Sequence, residues 1–182
     1  GPLIALVGRP NVGKSTIFNA LTRTRDALVA DQPGLTRDRQ YGEGRVGDLP
    51  YSVLDTGGLS GDDNQMDVLI AEQAWIAAEE ADLIFFIVDG RAGVTAFDDN
   101  IAARLRRMKK PVIVVVNKAE GISPEIIVSD FYSLGLGEPV AISASHNQGL
   151  YDLLLSAYEK VEFPAEKPEK EIQDDIIRLA VF

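Results

Sequence analysis

Residues 8–15 carry the residue types and the spacing of a loop that binds phosphate groups. Their sequence, Gly-Arg-Pro-Asn-Val-Gly-Lys-Ser, matches the pattern GxxxxGK[ST] and lies between an apolar run at 3–7 and a helical pattern. In such a loop backbone N–H groups point at a polyphosphate, a lysine reaches the β- and γ-oxygens, and a hydroxyl binds Mg²⁺. We therefore expect the chain to bind a nucleoside triphosphate, with Lys14 on the phosphates and Ser15 on the metal. The predicted phosphate-binding residues are Asn11, Val12, Gly13, Lys14, Ser15 and Thr16.

Two later polar segments could contact the γ-phosphate and Mg²⁺. Asp55 opens a DxxG motif at the end of a predicted strand, where its carboxylate can hold a metal-bound water and the Gly58 N–H can contact the γ-phosphate. Thr36 lies in a long Gly- and Pro-rich segment and is the best candidate for a second hydroxyl ligand to Mg²⁺, the alternative being an ordinary turn residue. We predict that residues 25–41 and 56–68 are nucleotide-dependent switches. The predicted catalytic residues are Lys14, Thr36 and Gly58.

A third group of residues is predicted to bind the base of the nucleotide. Asn-Lys-Ala-Glu at 117–120 follows a strongly apolar strand, so its side chains emerge at the sheet edge where nucleotides bind. The segment resembles the NKxD motif of GTPases, but Glu120 replaces the aspartate that accepts hydrogen bonds from guanine. The longer side chain leaves adenine open as an alternative to guanine. The segment 143–145 matches the loop whose alanine N–H binds the guanine carbonyl. The predicted base-site residues are Asn117, Lys118, Glu120, Ser143, Ala144 and Ser145.

Apolar, β-branched runs alternate along the chain with helical patterns, which predicts an α/β fold. We expect a P-loop NTPase fold with a six-stranded, mostly parallel sheet and helices on both faces. The short link at 47–50 predicts a hairpin, and therefore one antiparallel edge strand. The predicted strands lie near 3–7, 43–47, 51–55, 82–88, 111–116 and 139–143, and the helices near 14–24, 67–80, 97–108, 124–134 and 148–160.

The composition of the chain argues against several classes of protein. The 182 residues are 46% hydrophobic and contain no run long enough to cross a bilayer and no signal-peptide pattern, so we expect a cytoplasmic protein without membrane contact. The net charge of −10 argues against broad binding of nucleic acid. Because the chain has no cysteine, it has neither disulfides nor thiolate metal sites.

The end of the chain predicts a domain boundary. Residues 1–161 are expected to form one nucleotide-binding domain, and the charged, proline-bearing stretch at 162–175 is typical of a linker. The apolar residues within 176–182 resemble the strand at 4–7. They could form a terminal strand of the same sheet or the truncated first strand of a second domain.

These motifs, spread over residues 3–160, occur in the order found in translation-factor-related small GTPases. The closer resemblance is to the first G domain of the EngA (Der) family of bacterial tandem GTPases. It rests on the phosphate loop with Thr16, on Asp-x-Pro-Gly-x-Thr-Arg-Asp at 31–38, on the DxxG motif and on Phe-Tyr-Ser-Leu-Gly-Leu-Gly at 131–137. The resemblance favours the second-domain interpretation of residues 176–182.

The resemblance implies GTP and GDP as ligands, Mg²⁺ as cofactor and GTP hydrolysis as the reaction. EngA proteins carry two G domains and a KH-like domain and act in assembly of the large ribosomal subunit, which implies those domains and that subunit as partners. Asn11 resembles the asparagine that ligates K⁺ in potassium-activated relatives, with a turn-forming residue as the alternative. Leu59 stands where many GTPases place a water-orienting glutamine, and no arginine finger is evident, so hydrolysis should be slow.

Two other functions stay open at this point. The chain could be a nucleotide-gated interaction module with little hydrolysis, or a P-loop NTPase of relaxed base specificity. The remaining conspicuous residues are assigned structural roles. His146, the only histidine, is expected to be a surface or capping residue, Trp75 a core or interface residue, and the basic run at 104–110 a solvated helix end.

Overall fold

A computed structural model describes residues 1–24, 40–57 and 65–165, without the side chains of 65–70. Thr36, Gly58, Leu59 and residues 166–182 lie outside the described part, so the predictions made for them stay predictions. The strands are β1 (Leu3–Val7), β2 (Gln40–Glu43), β3 (Ser52–Asp55), β4 (Leu83–Asp89), β5 (Val112–Asn117) and β6 (Val140–Ala141). The α-helices of the described part are α1 (Lys14–Thr22), α2 (Gln65–Glu80), α3 (Ala96–Met108), α4 (Pro124–Ile127) and α5 (Leu150–Lys160).

The six strands form one sheet in the order β2-β3-β1-β4-β5-β6. β1 lies near the centre, where Leu6 pairs in parallel with Asp55 on one side and Phe85 on the other. Only β2 among the described strands runs antiparallel to its neighbour, β3. The predicted mostly parallel sheet with one antiparallel edge strand is confirmed. This order brings the carboxyl ends of β1, β3, β4 and β5 to one edge, where the phosphate loop follows β1, the DxxG motif begins at the end of β3 and the segment 117–120 begins at the end of β5.

The central strands are buried on both faces, which is why they occur as continuous apolar runs. On one face, Ile4 and Leu6 pack in a cluster with Phe18 of α1 and Leu153 of α5. On the other face, Ala5 and Val7 join a cluster formed with α2 and α3. The predicted helices on both faces are therefore confirmed. None of the helices in the described ranges combines the length and apolar character that a bilayer span requires.

The second strand lies earlier than the predicted 43–47. β2 ends at Glu43, and the Gly44 N–H donates to the Tyr51 carbonyl at 2.8 Å to close the hairpin. The core-facing position of β2 is Gly42, where a Cβ would come within 2.8 Å of the Phe18 ring and the Thr22 side chain. A strand whose inward position is glycine has no apolar alternation, so the sequence pattern missed it.

The predicted single helix at 124–134 is also wrong. α4 ends at Ile127, and a 3₁₀ helix follows at Ser129–Leu134. Val128, Phe131 and Leu134 are buried at a spacing of three, which suits the three residues per turn of a 3₁₀ helix. The hydroxyls of Ser129 and Ser133 each bond the carbonyl three residues earlier, which favours the tighter turn.

The first residues of the predicted linker pack against the domain. The Phe163 ring is buried and makes edge contacts with Tyr158, with centroids 4.8 Å apart, and with Tyr51, at 6.0 Å. Phe163 therefore covers the end of the core formed by the β2–β3 hairpin and α5.

Candidate nucleotide-binding site

The loop between β1 and α1 has the geometry of a phosphate-binding loop. Gly8 passes so close to β4 that a Cβ there would lie 2.6 Å from the Ile87 carbonyl oxygen. Gly13 has φ = 100°, in the left-handed region that glycine adopts most readily, and directly precedes α1. Ser15 and Thr16 therefore occupy the first turn of α1, at its positive end. The loop thus places its backbone N–H groups and the Ser15 hydroxyl where a polyphosphate could bind.

Lys14 is held in this loop by its own backbone. Its Nζ donates to the carbonyls of Gly8 at 2.9 Å and Arg9 at 3.0 Å, and the side chain is buried. Burial lowers the pKa of Lys14 to about 8, with the nearby Asp55 carboxylate acting in the opposite direction. A buried ammonium bonded only to neutral carbonyls lacks a full counter-charge, which an anionic phosphate would supply.

Asp55 ends β3 beside this lysine. The buried carboxylate accepts a hydrogen bond from the Gly57 N–H at 3.0 Å. Burial raises the pKa of Asp55, although the Gly57 bond and the Lys14 charge oppose the increase. Thr56 is fixed by donating its hydroxyl hydrogen to the Leu6 carbonyl at 2.8 Å. The structure therefore brings together the predicted carboxylate and lysine.

Asn117, the last residue of β5, joins the phosphate loop to the base-site loop. Its Nδ2 donates to the Val12 carbonyl at 3.0 Å, and its Oδ1 accepts from the Ala144 N–H at 3.1 Å. The side chain is 4% exposed, and a Cβ at Gly13 would lie 2.4 Å from Nδ2. One amide therefore sets the spacing between two loops that are far apart in the sequence.

Lys118 makes a second link between these loops. Its Nζ donates to the Asn11 carbonyl at 3.1 Å and to the Asp89 carboxylate at 2.8 Å. Burial alone would raise the pKa of Asp89, but bonds from Lys118 and from the Arg91 and Ala92 N–H groups hold it below its usual value. These two bonds fix the ammonium group of Lys118 between Asn11 and Asp89.

Glu120 lies where the two base-site segments meet. The Ser143 hydroxyl is the main cause of a lowered pKa at Glu120, while one carboxylate oxygen, Oε2, is shielded from solvent without a hydrogen-bond partner among the described residues. His146 is closer to this group than the sequence suggested. Its Nδ1 lies 3.0 Å from the hydroxyls of both Ser143 and Ser145.

A cavity of about 690 Å³ opens beside the base-site loop, between α1, α5 and the β2–β3 hairpin. Thr16, Ala144 and Ser145 are among the residues that line it. The first turn of α1 and the base-site loop thus share a concave surface of the size that small molecules occupy.

Comparison with known proteins agrees with this geometry. Residues 3–118 match the 50S ribosome-binding GTPase family. The chain belongs to that family. It is 53% identical over 175 residues to "GTPase Der" of Marinomonas sp. (strain MWYL1), a match that covers 96% of this chain and 38% of the relative. The chain therefore spans about two fifths of the length of that curated relative, and the resemblance to the first G domain of EngA (Der) proteins is confirmed.

Solved structures of GTPases share the fold. A variant of Era from Aquifex aeolicus, bound to GDP·AlF4⁻, aligns with a TM-score of 0.79 and 32% identity over 93% of this chain and 60% of Era. Era in complex with MgGDPNP and nucleotides 1506–1542 of 16S ribosomal RNA aligns with a TM-score of 0.78 and 32% identity, covering 92% and 58%. The P-loop fold of the GTPase family is therefore established for this chain.

An ion pair that sequence analysis missed connects the phosphate loop to α3. Arg9 Nε lies 3.7 Å from Asp98 Oδ1, and the Asp98 side chain is fully buried. The sequence did contain a signal for Asp98. Thr95 and Asp98 form a capping box, in which the Asp98 N–H donates to the Thr95 hydroxyl at 3.2 Å and the Asp98 carboxylate accepts from the Thr95 N–H at 3.0 Å.

Asp98→Ala should lower the free energy of unfolding by about 2–3 kcal/mol, because it removes the cap and leaves Arg9 without its buried counter-charge. Urea denaturation measures the loss. Asp99→Ala is the matched control, since Asp99 occupies the same helical turn but is exposed, and it should cost under about 0.5 kcal/mol. Equal losses in the two variants would contradict a specific role for Asp98.

Proposed function

We propose that this chain binds GTP and GDP with Mg²⁺ and hydrolyses GTP to GDP and phosphate. The observation that carries the proposal is the Asn117 amide, which bonds the phosphate loop and the base-site loop at once. A site built in this way can bind the phosphate groups and the base of the same nucleotide. Membership of the GTPase family supports the same conclusion.

In the proposed reaction, each residue of the phosphate site has a separate role. Lys14 and the N–H groups of residues 11–16 stabilise the charge on the transferring phosphoryl group. Ser15 and Thr36 would hold Mg²⁺ through their hydroxyls, and Asp55 through a water molecule. The buried Asp55 carboxylate beside Lys14 suits this role, because it is fixed by the Gly57 N–H before any ligand binds. The bound metal would neutralise charge on the phosphates, and the Gly58 N–H would contact the γ-phosphate.

The base site favours guanine. Glu120 Oε2 is a shielded acceptor without a donor among the described residues, whereas the Ala144 N–H, which the sequence assigned to the guanine carbonyl, donates to Asn117 Oδ1. Guanine presents N1–H and an exocyclic amine to such a carboxylate, whereas adenine has no N–H donor at N1. The stem of Lys118 would cover the base, and Ser143 and Ser145 flank it.

Competition binding tests the base preference. In this assay a fluorescent GDP analogue is bound to the 182-residue chain, and GDP, GTP or ADP is added in turn as the competitor. We expect GDP and GTP to compete at least about 100-fold better than ADP, because adenine would leave the shielded carboxylate oxygen unpaired. Equal competition by ADP would instead favour the NTPase of relaxed base specificity.

The rate of hydrolysis should be low and sensitive to K⁺. Leu59 replaces the usual water-orienting glutamine, and Asn11 would supply a K⁺ ligand in place of an arginine finger. Replacing K⁺ by Na⁺ at constant ionic strength should slow GTP hydrolysis by about 10-fold, since an ion that bridges the phosphates supplies transition-state charge. Phosphate release measured in both salts tests this, and equal rates would contradict K⁺ ligation by Asn11.

Single-turnover kinetics separates the enzyme from the nucleotide-gated module. Hydrolysis of bound GTP faster than that of free GTP supports the enzyme. Tight GDP binding without acceleration would show that the domain presents a nucleotide-dependent surface to its neighbours.

For the whole protein we propose a cytoplasmic role in assembly of the large ribosomal subunit, with a second G domain and a KH-like domain following this one. Support comes from the family to which the chain belongs and from relatives that are more than twice its length. Era, which shares the fold, has been solved in complex with ribosomal RNA. Cosedimentation of the full-length protein with 50S particles, with GTP and with GDP, tests this role.

A further inference from the structure

The turn after β4 lies against the base-site segment, although the predicted motifs do not include it. This 89–92 turn begins at Asp89, the last residue of β4. One carboxylate oxygen of Asp89, Oδ1, accepts hydrogen bonds from the N–H groups of Arg91 at 2.9 Å and Ala92 at 3.2 Å, which close the turn. The other oxygen, Oδ2, accepts from Lys118 Nζ at 2.8 Å. One carboxylate therefore holds the turn and the base-site segment together.

Two further contacts join the turn to the same segment through its backbone. The Gly90 N–H donates to the Asn117 carbonyl at 2.9 Å. The Arg91 guanidinium reaches further along the segment, where its Nη2 donates to the Glu120 carbonyl. The turn thus bonds the segment at three residues, and Arg91 holds the backbone of the residue that departs from the NKxD motif.

The position of this backbone matters because glutamate is longer than aspartate. The additional carbon carries an extended carboxylate about 1.5 Å further from the backbone, the length of one C–C bond. Such a carboxylate meets the same N–H groups of guanine when the backbone of residue 120 lies correspondingly further from the base. Glu120 Oε2 is the shielded acceptor proposed for those groups. The bond from Arg91 to the Glu120 carbonyl is a contact that can set this distance.

We propose that Arg91 is a positioning residue for base recognition, which holds the backbone of Glu120 at the distance from guanine that a glutamate requires. This role rests on the proposed function, since it requires that the chain bind guanine nucleotides. Arg91 does not touch the base; it acts through the Glu120 carbonyl. Asp89 holds the same turn but also acts on Lys118, whose stem would cover any base. Losing the Lys118 bond should therefore affect nucleotides differently from losing Arg91.

Competition binding with GDP and IDP tests the role of Arg91. The two nucleotides carry the same phosphates and the same N1–H, and IDP lacks only the exocyclic amine. Arg91→Ala should lower the preference for GDP over IDP by about 3- to 10-fold, the effect of one misplaced hydrogen bond. Arg107→Ala is the matched control, because it removes the same charge at an exposed position of α3, and it should leave the preference unchanged. An unchanged preference in Arg91→Ala would overturn the proposal.

Asp89→Asn separates the contact with Lys118 from the contact with Glu120. The asparagine Oδ1 can still accept from the N–H groups of the turn, but its Nδ2 cannot accept from Lys118 Nζ. Affinity should then fall by a similar factor for GDP and for IDP, and the preference between them should change less than about 2-fold. A fall in preference as large as that of Arg91→Ala would overturn the assignment of this preference to Arg91.

A double-mutant cycle tests the dependence on the length of glutamate. In a Glu120→Asp background the shorter carboxylate falls short of the base while Arg91 holds the backbone back. Adding Arg91→Ala should therefore not lower the preference for GDP over IDP any further. An equal fold-loss in the Glu120 and Glu120→Asp backgrounds would show that Arg91 acts on the segment whatever its side chain, and would overturn the proposal.

The wild-type chain separates this inference from the proposed function. If it shows no preference for GDP over ADP, the proposed function itself fails. If it prefers GDP over ADP but not over IDP, or if Arg91→Ala keeps the full preference over IDP, only the role of Arg91 fails. Arg91 is exposed, so thermal unfolding of Arg91→Ala should show little change in melting temperature. Arg91→Met, which keeps the aliphatic stem without a donor, is the second variant and should behave like Arg91→Ala.

Discussion

Lys14→Met should reduce GTP affinity and hydrolysis by about 100-fold or more while leaving the nucleotide-free protein at least as stable as the wild type. The loss of function follows from removing a buried cation that faces the phosphates. The effect on stability follows from the cost of burying that cation, since a fall in pKa from 10.5 to about 8 corresponds to a penalty on the order of 3 kcal/mol. Methionine keeps an unbranched side chain of similar length without the charge.

Two measurements check this separation of function from stability. Isothermal titration with GTP analogues measures affinity, and urea denaturation without nucleotide measures the free energy of unfolding. Lys160→Met, on the exposed last turn of α5, is the control and should change neither. A Lys14→Met variant that loses stability and affinity together would show that the lysine is mainly a structural residue.

The lowered pKa of Lys14 also predicts opposite pH trends for stability and affinity. Between pH 8 and 10.5 the unfolded chain keeps the Lys14 proton and the folded chain releases it, so the wild type should gain stability relative to Lys14→Met. Over the same range GDP affinity should fall, because bound phosphate requires the charged lysine. Denaturation and GDP binding at pH 7, 8 and 9 test both trends, and parallel curves for wild type and variant would contradict them.

How much could be predicted from the sequence depends on whether a contact is local. β1, the phosphate loop and β5 were predicted because buried parallel strands are continuous apolar runs and because the loop motif is contiguous. β2 was misplaced because its inward residue, Gly42, has no side chain to mark it. The 3₁₀ helix after α4 was missed because helical periodicity and a spacing of three look alike over a few residues.

In the candidate site, too, the local motifs could be predicted from the sequence and the contacts between side chains could not. The motifs identified Lys14, Asp55 and Asn117, but not what their side chains contact. The Arg9–Asp98 pair depends on the approach of two segments that are far apart in the sequence, and the His146–Ser143 contact depends on the 3₁₀ turn at Ala144–His146. Neither contact is indicated by its residue types, because a single histidine in a polar loop is more often an exposed residue without a fixed partner.

Asn117→Ala should weaken GDP binding by about 100-fold and lower the free energy of unfolding by about 2–3 kcal/mol. The variant leaves the Val12 carbonyl and the Ala144 N–H without their partner in a buried position, and each unsatisfied group costs about 1–3 kcal/mol. Because the amide joins segments 105 and 27 residues away, its loss frees two loops at once. Affinity should therefore fall for every nucleotide, and not only for those with guanine.

The matched control for this variant is Asn100→Ala, at an exposed position of α3, which should change stability by less than about 0.5 kcal/mol and leave GDP affinity unchanged. Competition binding with GDP and ADP, together with urea denaturation, distinguishes the possibilities. A destabilised Asn117→Ala that binds GDP as tightly as the wild type would show that the bridge supports the fold but does not set the nucleotide site. A loss confined to guanine nucleotides would place Asn117 on the base rather than between the loops. The expected result, an equal loss for both bases, follows only if one amide holds the phosphate and base ends at a fixed spacing.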